Sequence, residues 1–254
     1  MINFKNKSFK EQKKILDDLA KEKNTSKGLF ASADPLQIAI KYKDEWISLI
    51  CALFAYGNAK NILKFLQKID FDILNLSDEN IIKNTKNLKY RFQNSQDIAQ
   101  IFISLKRIKQ KDSLENIFTS AYKKEEKIID SINSFISKIR KINDYTSLGY
   151  DFFFLKENNP KSTFKRYNMY LRWMVRKDEL DMNLFKKIHT KDLLIPLDTH
   201  THKVSLALNL IQRKSYDFKA VLELSEKLKE FDDQDPIKYD FALYRIGQNK
   251  ELIK

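Results

Sequence analysis

Apolar residues recur at helical spacing along most of the chain. In the segment EEKIIDSINSFISKIRKI, residues 125–142, one stripe carries Ile128, Ile132, Phe135 and Ile139, which is the spacing of one helix face. No alternating run is long enough to build a sheet, and four glycines and four prolines are too few for an all-β fold, which needs a turn signal about every 8–12 residues. The pattern predicts an all-α protein with about ten or more helices.

Two segments depart from this simple amphipathic pattern. DEWISLICALFAYG, residues 44–57, is apolar nearly all round, which predicts a buried helix that ends at Gly57. NPKSTFKRYNMYLRWMVRKD, residues 159–178, combines core-type apolar positions with many cations. It predicts a basic amphipathic helix whose charged side faces solvent or meets a ligand. The cations of this segment are Lys161, Lys165, Arg166, Arg172, Arg176 and Lys177.

Composition narrows the class of protein. The 254 residues are 43% hydrophobic and 32% charged, a globular profile rather than a disordered one. No apolar run approaches the roughly 18 residues that span a bilayer, and the first residues lack the apolar core of a signal peptide. The single cysteine, Cys51, cannot form a disulfide or hold an iron–sulfur cluster within the chain. We therefore expect a cytoplasmic protein.

The formal net charge of +13 has two interpretations. A basic balance suggests a polyanionic partner such as nucleic acid or an anionic membrane surface. Alternatively, the many Lys, Ile and Asn residues reflect AT-rich codon usage. The distribution of charge favours a local role, because residues 160–214 contain twelve Lys or Arg against five Asp or Glu.

The most distinctive chemistry lies in IPLDTHTHKV, residues 195–204. Asp198, His200 and His202 would share one face of a strand and could then hold a metal ion. After Pro196, however, the apolar positions follow helical spacing, so Asp198 or Thr199 is predicted to cap a helix that starts near His200. Positions two apart on a helix point in different directions. We therefore expect no metal ion here, and Asp198 is either a plain cap or an ionised carboxylate in a cleft.

Lys165 is the second candidate. It lies near the start of the basic helix, among other cations and apolar side chains, a setting in which lysine can serve as a nucleophile. Alternatively, Lys165 lies on a helix face exposed to solvent and has no catalytic role.

At these residues the chain resembles the helix-hairpin-helix DNA glycosylase superfamily. PLDTH is similar to the aspartate signature of that family, and Lys165 in KRYNMYL is similar to its catalytic lysine, which begins the second hairpin helix. Thirty-three residues separate the two, a gap similar to that of the archaeal 8-oxoguanine branch. DPL, YRF, RWMVRKD and DPIKYDFAL complete a set that also resembles a family of conserved, uncharacterised bacterial proteins.

The resemblance implies a base-excision repair enzyme, a DNA glycosylase with AP lyase activity, and an all-α fold of two helical lobes with a cleft between them. One lobe, helical-barrel-like, is expected over residues 44–157. Residues 1–43 and 158–254 would form the other, with the hairpin motif. Lys165 and Asp198 would be catalytic, and no cofactor would be needed. DNA contacts are expected from Gly57, Asn58, Lys60, Lys161, Arg166, His200 and His202, and base-pocket contacts from Phe241, Tyr244 and Trp173, unless these three are only core residues.

One departure keeps an alternative open. The family hairpin carries two glycines, whereas ENNPKST has none, so close approach of backbone amides to a phosphate is in doubt. The expected partner is double-stranded DNA with a damaged base, 8-oxoguanine in the first instance, bound by a monomer. The alternatives are a non-catalytic DNA- or RNA-binding protein on the same scaffold and a metal-dependent hydrolase built on Asp198, His200 and His202.

Overall fold

The all-α prediction is confirmed by a computed structural model that describes residues 4, 6–125, 127–156 and 162–249. In these ranges the chain forms fourteen α helices and three short 3-10 helices, and no strand. No helix of the described residues is both long and apolar enough to cross a membrane. Lys161 and the rest of the hairpin segment 157–161 lie outside the described residues.

The helices are joined by connections of very different length. Their bounds are α1 Phe9–Lys23, α2 Ser26–Phe30, α3 Leu36–Tyr42, α4 Glu45–Leu53, α5 Ala59–Leu66, α6 Asp78–Thr85, α7 Ser95–Lys109, α8 Leu114–Glu125, α9 Ile128–Ile142, α10 Leu148–Asp151, α11 Lys165–Val175, α12 Thr199–Ala207, α13 Phe218–Phe231 and α14 Asp240–Gln248. The 3-10 helices are Phe71–Asn75, Thr190–Asp192 and Pro236–Tyr239.

Helix α4 lies at the centre, packed against α3 and α11. Its residues from Ser48 to Leu53 are all buried, as the apolar segment predicts. The predicted end at Gly57 is wrong, because α4 ends at Leu53. The carbonyls at this end do not continue the helical ladder: Leu53 O accepts from the guanidinium of Arg166 and Ala55 O from the ammonium of Lys165. Two cations from α11 thus take the place of further helical turns.

The prediction that α11 is amphipathic with a charged outer side is wrong. Its residues from Tyr167 to Val175 are all buried, Arg172 is 2% exposed and Arg176, just after the helix, is 3% exposed. Both arginines are paired with carboxylates that lie later in the chain. Because a buried charge without a partner is very costly, these distant partners are what allow the helix to be buried.

The partners form a continuous ion network. Asp181 accepts from Arg172 Nε at 3.2 Å and also from Arg176 Nη1, while Asp240 Oδ2 lies 2.6 Å from Arg172 Nη1. Asp235 receives Arg176 in a bidentate pair at 2.8 and 3.0 Å. The network therefore joins α11 to the start of α14 and to the segment that precedes it.

The packing of α12 against α14 is equally close. A Cβ atom added at Gly247 would lie 2.8 Å from His200 Cβ and 3.1 Å from His200 O. Only a glycine at this position lets the two helices approach so closely.

We expect the replacement Asp181→Ala to lower the free energy of unfolding by about 3–5 kcal/mol, because it leaves two buried guanidinium groups short of a partner. Urea denaturation followed by circular dichroism measures this. The matched control is Glu230→Ala, which removes a carboxylate paired with Lys227 at the surface and should cost less than about 1 kcal/mol. Equal losses in the two variants would show that the network does not hold the fold together.

Candidate functional site

A cavity of about 1490 Å³ opens in the molecule. Its walls come from the first turns of α11 and α12, from α14, from the segment before α3 and from the loop between α4 and α5. Lys165 and Asp198, the two predicted catalytic residues, both line it. The cavity thus brings together residues that are far apart in the sequence.

Lys165 is the first residue of α11 and is half-buried. The residue before it, Phe164, has a left-handed backbone (φ 48°), an uncommon conformation for a bulky residue, and its N–H donates to Ser162 Oγ at 3.2 Å. The Lys165 Nζ donates to Ala55 O at 3.2 Å. The end of α4 therefore holds Nζ of Lys165 at the cavity wall.

Asp198 caps α12, as predicted. Its Oδ1 accepts hydrogen bonds from the N–H groups of His200 and Thr201, both at 2.8 Å. The carboxylate is half-buried and lies at the positive end of the helix. Since only one oxygen of the carboxylate is used for the cap, the other remains for a proton or for a developing positive charge in the cavity.

Two further carboxylates of the cavity carry no predicted role. Asp34 is buried before α3, where it accepts from Leu36 N at 3.0 Å and lies 3.6 Å from Arg245. Burial raises its pKa, while the charges of Arg245 and Lys165 act in the opposite direction. Asp240 is also buried, and burial raises its pKa to about 6 against the effect of Arg172. The Asp-Pro pair in DPL marks Asp34 as a helix-start residue, but no local pattern shows that it reaches this cavity.

The predicted base-pocket residues Phe241, Tyr244 and Trp173 all line the cavity. Two guanidinium groups make cation–π contacts with the Phe241 ring: that of Arg245 lies 4.6 Å and that of Arg172 5.7 Å from the ring centroid. Tyr244 is half-buried and its ring meets that of His200 edge-on at 6.1 Å. Trp173 is only 2% exposed, so its contribution to the wall is small.

The predicted DNA-probing loop lies at the cavity mouth. Gly57, Asn58 and Lys60 are exposed and line the cavity. Gly57 has φ +97°, a backbone conformation that glycine adopts without the strain of a side chain. Asn58 caps α5 by accepting from Lys60 N at 3.0 Å. The cap and the backbone of Gly57 thus set the course of the loop into α5.

The other residues predicted to contact DNA, His200, His202 and Arg166, lie in different surroundings. His200 is exposed at the cavity, but His202 is buried, with Nε2 3.1 Å from Arg213 O and its ring edge-on to Tyr216. The helical separation of the two histidines is as predicted. Arg166 lines the cavity, yet its guanidinium donates to Phe152 O at 2.6 Å and lies 4.1 Å from the Phe152 ring centroid. Burial lowers its pKa to about 10.

The part of the chain that the structure describes holds no cluster of three His, Cys, Asp or Glu placed to bind a metal ion.

Comparison with known proteins places the chain in one family. Residues 34–249 match the family model described as "Protein of unknown function (DUF2400)", so the chain belongs to this family. No curated protein and no solved structure matches it. The matched range starts at Asp34 and includes Lys165, Asp198 and Asp240, so the family model spans the charged part of the cavity.

We expect Gly247→Ala to destabilise the protein by about 1–3 kcal/mol, because the added methyl group meets His200 and pushes α12 from α14. In an unobstructed helix the same replacement would instead stabilise, by about 0.4–1 kcal/mol. The sign of the change in urea denaturation therefore checks the close packing, and a stabilised variant would contradict it.

Proposed function

We propose that the protein is a DNA repair enzyme, a glycosylase with AP lyase activity that removes a damaged base from double-stranded DNA. The observation that carries this proposal is the presence of Lys165 and Asp198 in the wall of one cavity, each at the first turn of its helix. The cavity is proposed as the cleft between the two lobes, and the target nucleotide would turn out of the duplex into it.

The chemistry follows from these two groups. Nζ of Lys165, as the neutral amine, attacks C1′ of the deoxyribose, the C1′–N bond breaks, and its electron pair leaves with the base. The carboxylate of Asp198 stabilises the positive character that develops on the sugar; its free oxygen then takes one proton from the attached nitrogen and passes it to the departed base. Ring opening breaks the C1′–O4′ bond, the second proton of the nitrogen moves to O4′, and a Schiff base forms. The carboxylate of Asp198 then takes a C2′ proton, and the C3′–O bond breaks with its electron pair leaving on the phosphate.

The other cavity groups suit a polar base. Asp34 and Asp240 are buried carboxylates whose pKa values are raised by burial, that of Asp240 to about 6, and their oxygens can accept hydrogen bonds from a base. Phe241 and Tyr244 offer ring surface between them. Oxidised guanine, with both N–H donors and carbonyl acceptors, is the base class that we propose, in line with the resemblance of the Lys165–Asp198 spacing.

A non-catalytic nucleic-acid-binding role is the second candidate. The glycine-free hairpin favours it, because fewer backbone amides are then free to contact a phosphate. The two candidates share the fold and differ only in chemistry. A gel shift on damaged duplexes without base release or strand scission would select the second.

The first test is borohydride reduction during incubation with duplexes that each carry one damaged base. The wild-type chain should give a covalent protein–DNA complex, because reduction fixes the Schiff base at Lys165. Lys165→Ala should abolish this complex. Lys219→Ala, an exposed lysine of α13, is the matched control and should leave the yield unchanged. A full yield of trapped complex with Lys165→Ala would exclude this lysine as the nucleophile.

The second test separates catalysis by Asp198 from simple capping. Asp198→Asn should keep the helix cap, since Asn caps about as well as Asp, but should lower the rate of base release at least about a hundred-fold because the charge is lost. Asp44→Asn is a close control: Asp44 Oδ1 caps α4 through two N–H groups, both at 2.8 Å.

Single-turnover excision assays and circular dichroism give the two readouts. The Asp44 variant should excise as the wild type does. If Asp198→Asn lost helix content, or if both variants slowed equally, Asp198 would be a structural cap only.

A further inference from the structure

The last turn of α14 carries a short chain of polar side chains at the cavity wall. Tyr244 and Arg245 precede Gln248 by four and three positions, so all three side chains can meet on one side of the helix. Tyr244 and Gln248 line the cavity and are half-buried, whereas Arg245 is buried. Neither Gln248 nor the hydroxyl group of Tyr244 has a part in the chemistry proposed above.

Arg245 holds the inner end of this chain. Its Nη2 donates to Leu29 O at 3.1 Å and lies 3.6 Å from Asp34 Oδ2. Its Nη1 donates to the side chain of Gln248. Because a guanidinium group has donors only, the Gln248 atom that faces it is the carbonyl oxygen Oε1. Arg245 therefore determines which way the Gln248 amide group faces.

The orientation of this amide in turn determines where the hydrogen of the Tyr244 hydroxyl points. With Oε1 on Arg245, the NH2 group of Gln248 faces Tyr244 and donates to its Oη at 3.1 Å. An amide NH2 group cannot accept, so Tyr244 Oη is the acceptor in this pair. Within the residues that the structure describes, no other hydrogen bond involves this Oη. The hydroxyl hydrogen therefore remains for an acceptor in the cavity.

The surroundings keep the Tyr244 hydroxyl protonated. Burial raises the pKa of Tyr244 above its ordinary value, and the negative charges of Asp34 and Asp198 act in the same direction. Since an ordinary tyrosine titrates only near pH 10, the group is a neutral donor at neutral pH. Asp34 and Asp240, in the same wall, offer acceptor oxygens. The wall thus suits a ligand that has both a donor and an acceptor.

We infer that Gln248 is a positioning residue: it turns the hydroxyl hydrogen of Tyr244 into the cavity, where this hydrogen binds a carbonyl oxygen of the damaged base. The inference rests on the proposed function. When the C1′–N bond breaks, the electron pair leaves with the base, so negative charge builds up on the carbonyl oxygens of the base. The hydrogen bond from Tyr244 strengthens as this charge develops. Tyr244 is then a catalytic residue as well as part of the wall.

The first measurement separates recognition of the base from binding of DNA. It uses two uncleavable duplexes: one carries the 2′-fluoro analogue of the 8-oxoguanine nucleotide, and the other carries tetrahydrofuran, which has no base, at the same position. Tyr244→Phe removes only the hydroxyl group and should weaken binding to the first duplex about three- to ten-fold. Its affinity for the second should change less than about two-fold. Fluorescence anisotropy gives both values.

Gln248→Glu tests the direction of the hydroxyl without removing it. A carboxylate accepts from both Arg245 and Tyr244, so the hydroxyl hydrogen should turn away from the cavity. The variant should show the same base-selective loss of binding as Tyr244→Phe, and each should slow single-turnover excision at least about ten-fold. In the Tyr244→Phe background, Gln248→Glu should add less than about two-fold, because its effect passes through the hydroxyl.

Gln110→Glu is the matched control for the added charge. Gln110 lies at the end of α7, as Gln248 lies at the end of α14, but it is exposed and does not line the cavity. The replacement should leave binding to both duplexes and the rate of excision as in the wild type.

Four results would contradict the inference. They are unchanged binding in Tyr244→Phe or Gln248→Glu, equal weakening on both duplexes, a wild type that does not bind the base-bearing duplex, and a full further loss from Gln248→Glu in the Tyr244→Phe background, which would assign the effect to charge alone. Failure of the proposed function gives a different pattern. If the borohydride trap gives no complex but both variants still lose base-selective binding, the inferred contact stands and only the catalytic proposal falls.

Discussion

The buried pairing of Arg172 and Arg176 with their carboxylates is the constraint on which the rest of the structure depends. Neither guanidinium can release its proton, so each must find anions inside the protein or remain in water. Asp181 serves both arginines, and Asp235 and Asp240 complete the set. Partial pairing would cost more than an apolar core of the same volume. The network therefore admits one arrangement of α11 and α14 and penalises its alternatives.

That arrangement determines where the two candidate catalytic groups lie. Lys165 and Arg172 stand on the same helix, and Arg172 is bonded to Asp240 at the start of α14. Near the other end of α14, Gly247 contacts the backbone of His200, two residues beyond Asp198. A single path of rigid contacts thus runs from the lysine through two helices to the carboxylate. Such support is what a site needs if its reactive atoms are to be held in place.

The sequence alone predicts those structural features that depend on a single segment. Helical periodicity predicts the all-α fold, and Pro196 followed by Asp198 predicts the cap of α12, because a cap depends only on the next few residues. It does not predict features that depend on contacts between residues far apart in the chain. Nothing within α11 reveals that Arg172 will meet Asp240, sixty-eight positions later, so the helix looks amphipathic. The carbonyls at the early end of α4 likewise meet cations from α11, and His202 bonds to the backbone of Arg213.

The burial of α11 also changes the meaning of the basic charge. Arg172 and Arg176 are neutralised inside the protein and add nothing to an exposed basic surface, whereas lysines of the same segment such as Lys203 are exposed. Outside that segment, Lys60 in the first turn of α5 and the loop residues Arg91 and Lys156 are also exposed. Charge in the interior holds α11 and α14 together, whereas only the exposed cations are available to the DNA partner that we propose. The two roles are separated in the fold although the sequence mixes them, and net charge alone cannot distinguish them.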